Sequence, residues 1–374
     1  MSEPAGEEVL LKSRRYSIIK YRLEIIETLY LLIILVLFQG LSLSKALAAW
    51  VSSLTAYSFF SSIIYLLAAC LGYYILNFPL TLYRSFTLEH SFGLSNQKLP
   101  DWLKDQLKAG IVSYVIALIL IEVFYLILNL SPGGWWIWVS VFWIFFSLIL
   151  AKLVPVLIIP LFFKYKKLTD ENLRQRIIAL AQKMRVKIMD VFEIDFSKKT
   201  LKANAAFVGS GNTRRVILAD TLKDKYSYDE IEVILAHEFA HYKLKHLLKL
   251  ILANSLVTIL AFYLIFRSST RVLGVFGLGS LSDIAALPIV LLYLVIFSVL
   301  MQPFANALSR RLEKNADRMA LSITGLKEAF VSMMEKLAAQ NLADRNPSKL
   351  IKIYFFDHPP IDERIAMGRV FAEK

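Results

Sequence analysis

Six apolar stretches, each long enough to cross a bilayer, constrain this chain before any other feature does. They lie near residues 27–44, 56–82, 109–130, 135–162, 246–266 and 284–306. A helix rises about 1.5 Å per residue, so about 20 apolar residues cross a hydrocarbon core roughly 30 Å thick. Inside that core each backbone N–H and C=O must be satisfied within the segment, which leaves helices as the form these stretches take. The stretches lift hydrophobic content to 57% and mean hydropathy to +0.54, where a soluble domain sits at about 45–50% apolar. The fold class expected is mainly α, a polytopic membrane protein of about six spans.

Charge orients those spans. Formal net charge is +13 and the pI about 9.5. A basic balance suits either nucleic acid or the anionic cytoplasmic leaflet. The apolar stretches favour the leaflet and no nucleic-acid motif is present, so the expected partner is the lipid bilayer and not a nucleic acid. Lys12, Arg14, Arg15, Lys20 and Arg22 precede the first span, and the positive-inside rule puts them in the cytoplasm. Counting through, segments 83–108, 164–245 and 307–374 share that side, with both termini; Arg267 and Arg271 are the exceptions on the far side. Trp135, Trp136 and Trp138 cluster where an interfacial aromatic belt would sit. A single cysteine, Cys70, excludes an internal disulfide framework and a cysteine-rich zinc site. The polar, acidic first nine residues do not read as a cleavable signal peptide.

The organisation expected is a membrane domain with a cytoplasmic loop over 1–163, a cytoplasmic subdomain over 164–245, two further spans over 246–306, and a cytoplasmic segment over 307–374. Within 164–245, Thr169 to Arg185 reads as an amphipathic helix and Val186 to Asp195 as a strand. Leu201 to Val208 and Arg214 to Ala219 flank Gly209-Ser210-Gly211-Asn212-Thr213, a hairpin signal. Ser227 and Glu230 fit a capping box that opens a helix.

That helix carries His237-Glu238-Phe239-Ala240-His241. Histidines four apart project from one helical face, about one turn apart, so both can ligate one zinc ion. Glu238 is turned off that face and can serve as general base without taking a ligand position. A catalytic zinc needs a third protein ligand and an open position. His246 follows His241 by five residues, whereas the metzincin pattern needs six and a glycine; it reads as marking the aqueous end of the next span. A carboxylate on another helix is expected instead. Glu313, in Ser309-Arg310-Arg311-Leu312-Glu313 just past the last span, is the best candidate, with Glu328, Glu335 and Glu363 competing on spacing. Asp317, one turn beyond Glu313, could hold a ligand histidine through its second ring nitrogen.

At these residues the chain resembles the type I CAAX prenyl endopeptidases, integral-membrane gluzincin proteases. The resemblance is carried by Ile234 to Leu244 around the two histidines, by Ser309 to Glu313 with Ala316-Asp317, and by His358-Pro359-Pro360 with Glu363-Arg364. It is also carried by Phe86 to Glu89 with Phe92 to Gln97, a loop that favours this branch over the related stress-response membrane metalloproteases. It implies a barrel of membrane helices around a chamber, capped by a cytoplasmic zincin-type α+β metalloprotease domain. It implies one Zn²⁺ per chain with Glu313 as third ligand. It implies a substrate lying as an added strand near Asn204-Ala205-Ala206, with Asn204 and Ala205 contacting it. His358 would help hold substrate or the oxyanion, against the plainer reading of a turn-capping histidine; Arg364 would contact substrate or brace the site through a carboxylate. The family's polar neighbours of that asparagine are absent here, where Lys202-Ala203 precede Asn204.

The function expected is zinc-dependent endoproteolysis near the C-terminus of prenylated or otherwise membrane-associated peptides or proteins. Quality-control proteolysis of membrane proteins is the alternative, and a transporter or binding protein with a structural zinc a more distant one. The location expected is the inner or plasma membrane of a prokaryote, or the endoplasmic reticulum of a eukaryote.

Overall fold

The computed structural model describes residues 3–209 and 214–371. Its N-terminal part is helical: α1 (Glu3–Gly40), α2 (Leu43–Leu54), α3 (Ser58–Leu82), α4 (Leu88–Ser91), α5 (Leu99–Leu130), α6 (Trp135–Leu153) and α7 (Ile159–Phe162). Wider π turns, Tyr83–Thr87 and Val154–Ile158, join α3 to α4 and α6 to α7. Pro155 lies in the second, where its missing N–H interrupts the regular ladder. Among the described residues, six helical stretches are long and apolar enough to cross a membrane: Glu7–Gly40, Ser58–Ser91, Leu99–Leu130, Trp135–Phe162, His246–Val275 and Ile284–Thr324.

These agree with the six apolar stretches, with two corrections. The first span does not run to residue 44. It stops at Gly40, Ser42 turns the chain in a left-handed conformation (φ 57°), and the short helix α2 follows. Trp135 is not a belt residue: it is buried, edge-on to Phe124 and Phe262 at centroid distances of 5.8 and 6.3 Å. Trp138, three residues on, faces outward. Along α1, Leu29, Ile33, Val36 and Leu37 are exposed at helical spacing, the outward apolar face of a helix in lipid rather than water.

The chain then folds β1 (Tyr165–Lys167), α8 (Glu171–Lys183), β2 (Val191–Ile194), β3 (Ala205–Val208), β4 (Arg215–Ala219), α9 (Asp220–Lys223) and α10 (Tyr228–Lys243). The sheet order is β1-β2-β4-β3. β2 and β4 run parallel, and β3 pairs antiparallel with β4 in the register Ala205 to Leu218 and Phe207 to Val216. β3 is therefore an edge strand. Two strands are shorter than expected. Residues 184–186 close α8, with the Val186 N–H donating to the Ala181 carbonyl at 2.8 Å and Arg185 left-handed (φ 53°), so β2 begins only at Val191. Residues before Ala205 are tied elsewhere: the Leu201 N–H donates to the Leu94 carbonyl at 3.0 Å, and the Ala203 N–H to Asn341 Oδ1 at 3.0 Å. Of the expected turn Gly209 to Thr213, residues 210–213 lie outside the described residues.

The remaining helices are α11 (His246–Val275), α12 (Leu287–Thr324), α13 (Lys327–Gln340), α14 (Lys349–Phe355) and α15 (Ile361–Arg369). α12 is one helix through the last span and on into the polar part. Its buried Ala316, Ala320 and Leu321 join Leu235 and Phe239 of α10, the inner residues of α8 and the sheet, and Phe330 of α13 in one core.

Candidate metal centre

α10 is positioned by its first turn. The Ser227 side chain accepts from the Glu230 N–H while Glu230 accepts from the Ser227 N–H at 2.7 Å, the capping box read from the sequence. Ser332 and Lys336 of α13 also donate to Glu230, at 2.6 and 2.7 Å. Ile231, Leu235, Ala236, Phe239 and Ala240 are fully buried, which fixes the rotation of the helix and turns His237 and His241 towards α12.

There they meet Glu313. The His237 and His241 Nε2 atoms lie 3.0 Å apart. Each is 3.2 Å from an oxygen of Glu313. Tetrahedral ligation with bonds of about 2.1 Å places donor atoms about 3.4 Å apart, so the spacing suits one small divalent cation. Glu313 is buried, and its Oε2 lacks a well-oriented hydrogen bond. A buried acceptor without such a bond beside two imidazole nitrogens fits a position that a cation fills. Among the described residues this trio is the one grouping of histidine and carboxylate donors close enough to share an ion.

The surrounding contacts aim the ligands. Asp317, fully buried, has Oδ1 2.8 Å from His237 Nδ1, a carboxylate contact that favours a proton on Nδ1 and leaves Nε2 facing the centre. Arg364 holds Asp317 in turn, with two N–H···O contacts of 2.8 and 2.6 Å. Arg364 is itself buried, so of its two expected roles this geometry favours bracing the site over touching substrate. Burial opposes a charge on His237, while Asp317 and Glu313 favour one, a proton that a cation held at Nε2 would displace. For Glu238, removal from water pushes the carboxyl above the usual carboxylate range, against the pull of His237 and His241. That is the direction a general base needs to hold a proton between two steps.

His358 reaches the same centre from the other end of the chain. Its Nε2 is 3.4 Å from Glu313 Oε2, and its Nδ1 contacts Asp357 at 2.8 Å. Burial would lower its pKa, but Asp357 and Glu313 raise it. Asn204 is exposed at the start of β3, its carbonyl accepting from the Ala219 N–H at 3.0 Å, and Ala205 follows on the free edge. Glu328 and Glu335, on α13, and Glu363 do not join the trio.

His246 needs a correction. It is not at an aqueous end but buried, its Nδ1 3.0 Å from His241 Nδ1. Lys245 adopts a left-handed conformation (φ 54°) and folds the first residue of α11 back under the metal helix. Two other residues escaped the sequence reading. Asn306 donates to the carbonyls of Ile353 and Tyr354 at 3.1 and 2.7 Å, and Arg310 to those of Lys352 and Phe356 at 2.9 and 2.5 Å. Together they hold the segment that presents His358. The signal was there: 306, 310, 313 and 317 form a polar stripe at helical spacing down one face of α12.

Comparison with known proteins agrees with this geometry. The family described as CAAX prenyl protease N-terminal, five membrane helices, matches residues 2–164, and peptidase family M48 matches residues 167–369. An uncharacterized metalloprotease of Bacillus subtilis, YhfN, is 30% identical over 326 residues, covering 86% of this chain and 76% of its own. CAAX prenyl protease 1 of Saccharomyces cerevisiae is 29% identical, covering 80% of this chain and 70% of its own. The crystal structure of Ste24p from S. mikatae superposes with a TM-score of 0.87 at 25% identity, over 96% of this chain and 89% of that one. These matches are to peptidases rather than to transporters or binding proteins. With a two-histidine, one-glutamate centre at the foot of six candidate spans, the chain belongs to peptidase family M48, as an integral-membrane metalloendopeptidase of the type I CAAX prenyl protease branch.

Proposed function

We propose that this protein is a zinc-dependent endopeptidase that cuts near the C-terminus of prenylated or otherwise membrane-associated chains, working on the cytoplasmic face. The observation that carries the reading is the trio of donor atoms spaced 3.0 to 3.2 Å apart, two of them on α10, the helix packed against the free edge strand β3. His237, His241 and Glu313 would hold one Zn²⁺, and nothing in that donor set asks for a softer metal. Bound there, the ion supplies Lewis acidity, polarising a carbonyl and easing deprotonation of water. Glu238 takes the proton of the attacking water and returns it to the leaving amine. Asp317, braced by Arg364, keeps His237 in one tautomer. β3 lends main-chain hydrogen bonds to an extended peptide, with Asn204 and Ala205 as contacts, and His358 stands where it can donate to substrate oxygen.

The membrane is the inner or plasma membrane in a prokaryotic host and the endoplasmic reticulum in a eukaryotic one. Glu238→Gln should lower peptide cleavage by about 10²–10⁴-fold, the worth of a positioned general base, while bound zinc stays at one per chain. Wild-type cleavage by that variant would sink the assignment. Comparing one peptide with and without a farnesyl group reads the substrate class: a large gain from the lipid supports the CAAX-type reading, and equal rates support quality-control proteolysis.

A further inference from the structure

The free edge of β3 gives an added peptide a direction. Antiparallel pairing makes the straighter, stronger ladder, and β3 runs from Ala205 to Val208. A peptide added antiparallel therefore sends its C-terminal end past Ala205 towards Asn204 and Lys202. The ladder cannot follow it far, because residues 199–203 bond instead to the loop at Leu94–Asn96 and to Asn341.

Two lysines wait at that exit. Lys202 Nζ lies 3.0 Å from Tyr16 Oη and 2.8 Å from Glu89 Oε2, and Tyr16 Oη donates to Glu89 Oε1 at 2.5 Å. The Nζ atoms of Lys20 and Lys202 each lie 5.5 Å from the centre of the Tyr16 ring. Glu89 contacts the ammonium group of Lys202. Among the described residues Lys20 has no ion-pair partner, although it is partly buried. An ammonium has three donors. Lys202 spends two, on Tyr16 and Glu89, so the pair retains donors for a further acceptor.

We infer that Lys20 and Lys202 receive the C-terminal carboxylate of the substrate peptide, so that the enzyme reads a free chain end a short distance past the bond it cuts. This rests on the proposed peptidase reading and assigns the residues that would sense the end.

The test uses full-length Glu238→Gln protein in neutral detergent, with a short fluorescent peptide carrying an S-farnesyl cysteine near its end, as the free acid and as the C-terminal amide. The acid should bind about tenfold more tightly, the scale of one charge-assisted hydrogen bond. Adding Lys20→Met should bring the acid to the affinity of the amide, and Lys20→Arg should keep the preference. The ratio is taken within each protein, so partial misfolding cancels. Lengthening the peptide by several residues beyond the cut should also erase the preference. Equal binding of acid and amide by the parent, an unchanged ratio in Lys20→Met, or an undiminished ratio with the longer peptide would each overturn the inference. Hydrolysis by the Glu238 protein is scored separately: its failure on every peptide sinks the peptidase reading, while the binding ratio still decides this one.

Discussion

Asp317 serves two masters, His237 on one side and the guanidinium of Arg364 on the other, with no exposed surface of its own. Replacing it with asparagine keeps the shape and removes the charge that holds His237 Nδ1. Asp317→Asn should weaken metal binding about 10–100-fold, read by competition against a zinc chelator, with the helical content of the protein unchanged; full affinity would mean that Arg364 alone orients the ligand. At this scale the sequence was most legible where spacing on one helix decides the matter: His237 with His241, and Glu313 with Asp317. It was least legible where a partner comes from far along the chain. Nothing in sequence tells Arg364 that its carboxylate is Asp317, forty-seven residues away. His246 misled because its burial follows from one left-handed residue, Lys245, that spacing does not reveal.

Among the elements, α10 depends on its N-terminus. Burial alone would raise the Glu230 pKa, but Lys336, Ser332 and the Ser227 N–H overcome it and hold it below the usual glutamate value. A depressed carboxylate contributes stability above its ordinary pKa and loses it as pH falls through the lowered one. Glu230→Gln should therefore destabilise the folded protein near neutral pH by about 1–2 kcal/mol. The gap in thermal midpoint from wild type should begin to narrow below about pH 4 and close as pH falls through the lowered value. A gap that persists at low pH would mean that Glu230 acts through shape rather than charge. The capping box was readable because its residues are local. The strands were readable only in part: apolar alternation marks Val186 to Asp195, but the first residues close α8, and no pattern records which of two uses a backbone N–H is put to. α2 went unread because its twelve residues are too short to declare a span.

For the whole molecule, the six spans were the plainest message of the sequence, since length and hydropathy suffice to find them. The way they close on the catalytic part was not, because it runs through single contacts such as Leu94 with Leu201. Sidedness can be checked directly. With Cys70 replaced by alanine, cysteines placed singly at Asn129 and Lys349, both exposed, should react with a membrane-impermeant reagent from opposite faces; labelling from one face would break the even count of spans. α12 carries a further consequence. Leu300 and Phe304 face outward on it, and Arg311, Lys314 and Arg318 face outward beyond them. The edge of the hydrocarbon then falls between Phe304 and Arg311, and Glu313 stands about 3–13 Å above it at the rise of a helix. Since one rod is both anchor and ligand, the altitude of the chemistry is set by the bilayer itself. A peptide anchored at that same edge would then offer the centre the bonds that lie at that height above its anchor.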